Sequence, residues 1–206
     1  MKKLLSLLLA LCLVLGMATF VACSDSSDST DPATTSYEVN AQEYQAALGL
    51  GDNFKMDMRV TVDNELTATT IVVDGDKIQM TSVQGADTYE IYASKDGDQY
   101  YLYGKVDGEW EKVPSNEYDY NNYKNIPANA IQFYAGTPLE SFTYDANEKC
   151  YVMALSADGM DGTFKIFFEN KKFKKVETVI TYADPAETRI TQIDVTYNVR
   201  VTLPDE

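Results

Sequence analysis

Between Asn53 and Asp63, apolar and polar residues alternate without a break. Phe54, Met56, Met58, Val60 and Val62 fall on one side, and Asn53, Lys55, Asp57, Arg59, Thr61 and Asp63 on the other. A strict period of two predicts a β-strand with one dry face and one wet face. The same alternation recurs near 66–74, 77–84, 88–95, 99–106 and 110–113, and after a gap near 141–145, 150–156, 163–169, 172–182 and 188–203. Asp74-Gly75, Asp96-Gly97 and Asp107-Gly108 separate three of the early pairs, and Asp-Gly is a strong two-residue hairpin signal. Later connections are expected at Asp158-Gly159 with Asp161-Gly162, and at Asn170-Lys171. The expected fold is mainly β (α+β): an antiparallel meander of roughly ten strands that curves into an open or half β-barrel.

One stretch carries helix punctuation instead. In VNAQEYQAALGLG, Asn40 can cap a helix, Glu43 can reach back to it, and Val39 and Tyr44 occupy the staple positions. Gly49 and Leu50 read as its C-terminal end. Tyr44, Ala47 and Leu48 then share one face, so a short N-terminal helix is expected, packed on the concave face of the sheet. It is too short to stand alone. From Pro114 to Thr137 the alternation stops, and the polar and aromatic segment predicts one further short helix near Ala128 to Tyr134.

Ahead of this domain, Lys2 and Lys3 precede an apolar run from Leu4 to Val14, and small or apolar residues continue to Cys23. This is the layout of a secretory signal, shorter than a comfortable membrane span. Phe20-Val21-Ala22-Cys23 resembles the lipobox of bacterial lipoproteins, with Phe20 where leucine is usual. The resemblance implies loss of residues 1–22, lipidation of Cys23, and attachment to the outer face of an envelope membrane through acyl chains. Burial contributes ~0.8 kcal/mol per methylene, so two or more chains anchor stably. SDSSDSTDPATTS, Ser24 to Ser36, has the composition of a flexible tether. The expected organisation is a signal at 1–22, a lipidated cysteine and tether at 23–36, and one domain at 37–206.

Charge narrows the partners. The chain has 17 basic and 32 acidic residues, net −15, and loss of Lys2 and Lys3 deepens the deficit. Such a domain is repelled by nucleic-acid backbones and by anionic headgroups, so no nucleic-acid partner is expected. Of three cysteines, Cys12 leaves with the signal and Cys23 is lipidated, so Cys150 has no disulfide partner. With no histidine in the chain, Cys150 lacks the usual activator of a thiol nucleophile. It reads as a small apolar strand residue. There is no nucleophile elbow, phosphate-binding loop or dinucleotide fingerprint. The Asp-Gly-Asp triplets at 74–76 and 96–98 lack the spaced ligands of a calcium loop. No enzyme, metal or cofactor is expected.

A lipobox, a Ser/Thr tether, one N-terminal helix, a long meander, a helical interruption and a closing VTYNVRVTLPDE together resemble the LolA-like lipoproteins. That group includes periplasmic lipoprotein carriers and LppX-type lipoproteins. The resemblance covers most of residues 39–204 and implies an incomplete barrel whose concave face is covered by helices and receives acylated ligands. It transfers no ligand residue. The alternation itself nominates Tyr44, Phe54, Met56, Met58, Met80, Met153 and Phe164 as cavity lining, since methionine-rich surfaces accommodate varied apolar ligands. The same residues serve equally well as packing beneath the helix. A second surface is aromatic: Tyr101 and Tyr103 share a strand face near Trp110, suiting contact with glycan or protein or cross-strand pairing alone. The expected function is a membrane-anchored surface lipoprotein that binds or carries an apolar or acylated ligand in the barrel concavity. The alternative is an adhesion or structural module that uses the Tyr/Trp face.

Overall fold

The computed structural model describes residues 37–157 and 159–205. The signal, Cys23 and the tether lie outside the described residues. Eleven strands form one antiparallel sheet: β1 (Asn53–Val62), β2 (Glu65–Asp74), β3 (Lys77–Gln84), β4 (Asp87–Asp96), β5 (Gln99–Val106), β6 (Glu109–Ser115), β7 (Thr143–Asp145), β8 (Cys150–Ala157), β9 (Met160–Glu169), β10 (Lys172–Ala183) and β11 (Ala186–Tyr197). Their spatial order is β6-β5-β4-β3-β2-β1-β11-β10-β9-β8-β7. Two meanders are therefore joined where the first strand pairs with the last, and β6 and β7 are left as open edges. The sheet does not close on itself.

Local chemistry explains the hairpins. Asp63-Asn64, Asp107-Gly108 and Asn170-Lys171 each hold both loop residues at positive φ, the left-handed pair whose twist matches that of the flanking strands. Gly75 and Gly97 supply the one positive φ that their loops need. Asp161-Gly162 is not a connection: β9 begins at Met160, and Gly162 lies within it under the ring of Phe164. A Cβ at Gly162 would come within 2.9 Å of that ring, so a larger residue there would have to displace Phe164.

Among the described residues, four short helices lie with the inner face: α1 (Ala41–Leu48), α2 (Glu117–Lys124), α3 (Ile126–Ala130) and α4 (Gln132–Gly136), followed by a 3₁₀ turn at Leu139–Ser141. Asn40 Oδ1 accepts from the Glu43 N–H at 2.9 Å, and Glu43 accepts from the Asn40 N–H at 3.3 Å. The segment read as one helix near Ala128 to Tyr134 is two, and α2 precedes it. Asn116 caps α2 through the Asp119 N–H at 2.9 Å.

Register aligns the inner face. Tyr144, Tyr151, Ile166, Val176, Ile193, Met58, Thr69 and Ser82 form one row across eight strands. Most of the row is apolar, and the Thr69 and Ser82 hydroxyls satisfy each other at 3.2 Å. With the helices, this face makes a single core from Val39 to Val195. Each fully buried large side chain there contributes about 1.5–3 kcal/mol.

The outer face is closed differently. The strand expected over 188–203 ends at Tyr197, because Asn198 adopts a left-handed φ of 61° and turns the chain away. Residues 198–205 cross the outer face as an irregular strap. Val201 and Leu203 are buried there with Val72 and Tyr103 in a second, smaller cluster.

Candidate functional site

The seven nominated residues all lie on the inner face. Tyr44, Phe54, Met56, Met58 and Phe164 are buried members of the inner core, and Met80 and Met153 pack against it half-buried. Each belongs to or packs against the one core that the sheet shares with the helices. The Tyr44 ring meets Phe168 edge-on at 5.9 Å, and its hydroxyl donates to the Tyr134 carbonyl at 2.9 Å. Burial pushes that hydroxyl well above the ordinary tyrosine range. Phe133 stacks on Phe164 at 4.7 Å, and the Tyr134 hydroxyl bonds to Thr178. Beside them, the Tyr151 hydroxyl donates to the Val39 carbonyl at 2.7 Å and accepts the Val39 N–H at 3.0 Å. These contacts hold α1 and α4 onto the inner face of the sheet.

Open space lies at one end of that core instead. A pocket of about 400 Å³ sits between the C-terminal end of α1 and the α2–α4 segment. Leu48, Phe54, Val73, Pro127 and Ile131 contribute apolar walls, and Gln45, Lys124 and Asn125 are the polar lining. Of the seven nominated residues only Phe54 reaches it. Inward orientation is a local property of a strand, whereas a void depends on where remote helices stop. Beside the pocket, Tyr120 is 2% exposed, its hydroxyl has no bonding partner, and burial is the main cause that lifts its pKa to about 12.

The aromatic surface is not free. Tyr103 is buried, while Tyr101 and Trp110 are half-buried against the strap. The Tyr92 and Trp110 rings meet edge-on at 5.1 Å. The Asn53 side chain donates to the Val199 carbonyl at 2.9 Å and accepts its N–H at 2.7 Å. Asp74 accepts the Val201 N–H at 3.2 Å. At the far end Lys112 pairs with Asp205 at 2.9 Å. This clamp was invisible in the sequence, because Val199, Val201 and Leu203 alternate just as a strand would.

Cys150 is buried, and desolvation leads the causes that raise its thiol to about 11. It is therefore an inert thiol at neutral pH. Among the described residues no group of three or more acidic or cysteine side chains is placed to hold a metal, and no helix is long and apolar enough to cross a membrane. No family model matches the chain, and no curated protein matches it.

Proposed function

We propose that the chain is a membrane-anchored surface lipoprotein whose open β domain holds an apolar chain of its ligand in the pocket between α1 and α2–α4. Lipidation at Cys23 ties it to the outer face of an envelope membrane, and residues 24–36 give it reach. In finer detail we read the sheet as an incomplete barrel of the LolA-like kind, with α1–α4 on its concave side. The observation that carries the ligand reading is the pocket itself. Its volume of about 400 Å³ falls in the range of small-molecule sites. Apolar walls with a few polar groups, Lys124 among them, suit an amphiphile with an anionic or neutral head.

The test is native mass spectrometry on protein extracted from membranes, with Ala128→Trp as the comparison. Ala128 lines the pocket and is exposed, so a bulky side chain there fills the space without entering the core. Co-purified lipid on the parent and at least tenfold less on the variant support the reading. Equal loads on both, or none on either, overturn it. The anchor is tested separately: Cys23→Ala releases the protein into the soluble fraction, and retention in the membrane argues that another segment holds it.

A further inference from the structure

The strap lies in a groove built from recognition chemistry. Asn53 presents a carboxamide that bonds both backbone groups of Val199, at 2.9 and 2.7 Å, and so reads main chain rather than side chain. Asp74 takes the next alternate N–H, that of Val201. Val199, Val201 and Leu203 point every second side chain onto Val72, Tyr92, Tyr101, Tyr103 and Trp110, as an extended peptide does in a strand-like groove. The end is fixed by charge. Lys112 sits over the rings of Tyr101 and Tyr103, 4.5 and 5.3 Å from their centroids, and meets the Asp205 carboxylate at 2.9 Å. The Tyr103 hydroxyl donates to the same carboxylate at 3.4 Å.

None of these contacts depends on the covalent link to β11. That link is the single left-handed residue Asn198, and residues 198–205 form no strand, so release of the strap costs the sheet no ladder bonds. We propose that the groove is a peptide site for an extended segment of the pattern apolar-x-apolar-x-apolar-x-acid, and that it takes residues 199–205 of a second copy in exchange for its own. The same segment of another copy satisfies every partner named above, so exchange trades identical contacts, the usual low-cost route to a swapped dimer. The cis strap acts as a built-in competitor at an effective concentration of order millimolar. Free groove is therefore scarce at low protein concentration.

The probe is a fluorescein-labelled peptide of residues 198–205, titrated against full chains. Val201→Asp with Leu203→Asp empties the groove and leaves its walls intact. That variant is expected to bind the peptide at least tenfold more tightly than the parent does, and added Asn53→Ala with Lys112→Glu removes the gain. Equal affinity for parent and variant, or none on a folded variant, overturns the site. Mixing the empty-groove chain with an Asn53→Ala, Lys112→Glu chain, whose strap is intact, should give a species that grows with concentration. That species is a heterodimer in light scattering when the empty-groove chain donates no strap and receives one. Peptide binding without it overturns the second copy as occupant. If the strap variant does not fold, amide exchange on the parent decides. Val199 and Val201 should exchange at least tenfold faster than Met56 and Met58 of β1, and equal protection overturns the proposal.

Discussion

Met56 and Lys55 are neighbours on β1, yet they report two kinds of interior. Met56 faces inward and is wholly buried, while Lys55 faces outward and pairs with Asp57 at 2.9 Å. On the inner side, rows of aliphatic and aromatic residues from both meanders meet four helices and form one continuous core. On the outer side, a strap of eight residues closes the β1–β6 half over an aromatic row. There the row Lys55, Val72, Gln79, Tyr92, Tyr103 and Lys112 mixes charge, amide and ring. The inner face is held by area, and the outer by a few directed bonds over a small apolar patch. The difference teaches that one sheet can carry a permanent core and a detachable cover.

The largest expected effect breaks the inner side. Phe168 is 2% exposed and meets Tyr44 and Tyr151 edge-on, so Phe168→Ala leaves a cavity at the centre of the helix–sheet contact. A loss of about 3–5 kcal/mol is expected, read as a lower urea midpoint with unchanged slope. On the outer side, Leu203→Ala is expected to cost about 2 kcal/mol, the low end for a buried leucine, because the strap can settle into the space. It should change Trp110 fluorescence and leave amide protection in β9 and β10 as it was. Equal losses at the two sites, or loss of β9 protection in Leu203→Ala, would erase the distinction between core and cover.

How much of this was legible follows from how local each cause is. The hairpins were, because residues such as Asp107-Gly108 and Asn170-Lys171 carry their turn conformation in their own chemistry. Strand faces were too, since Phe54, Met56 and Met58 announce their side by period two. The strap was not. Val199, Val201 and Leu203 keep the alternation of an extended chain with one dry side, and nothing in their spacing says which face of the sheet dries them. The only local hint is Asn198, a residue that tolerates positive φ. Helix α2 was missed because one buried residue, Tyr120, leaves no periodic stripe, although Asn116 and Asp119 do spell a cap. The pocket was beyond reach because Pro127 and Ile131 meet Phe54 only once the α2–α4 segment has docked, a sequence separation far outside the windows in which pattern arguments work.

Asn198 offers a smaller lesion that sharpens the same contrast. Asn198→Val places a β-branched residue at a left-handed φ, at a cost of roughly 1–2 kcal/mol. Asn198→Gly should be neutral within a few tenths of a kcal/mol. The valine variant should loosen the strap alone, seen as faster exchange at Val199 and Val201 with β1 unaffected. Cys150 alternates with Tyr151 and so lies on the outer face, at the β7–β8 edge remote from the strap. Its buried thiol, raised to about 11, should resist thiol reagents at pH 8 in the native chain and react once urea unfolds the sheet. Rapid native labelling would mean that the β7–β8 edge of the sheet opens.

The smallest effect tests the far end of the cover by pH. The Lys112 hydrogen bond holds the Asp205 carboxyl below its usual range, while hydrogen bonds to Tyr103 and to Asp205 hold the Lys112 ammonium above its own. For Asp205, a depressed folded value means that its contribution is present above the ordinary carboxylate range, near pH 4, and is lost as pH falls through the folded value. For Lys112, a raised folded value means that its contribution is complete below the ordinary lysine range, near pH 10, and is lost as pH rises through the folded value. The end of the strap should therefore stay seated between those limits and lift on either side. Both groups face solvent, so the pair is also screened by salt. Methyl resonances of Leu203 and Val201 report it: they should shift on acidification in the parent, and the shift should vanish in Asp205→Asn. An identical acid response in that variant would place the titrating group elsewhere and leave the apolar patch with Asn53 and Asp74 as the whole of the clamp.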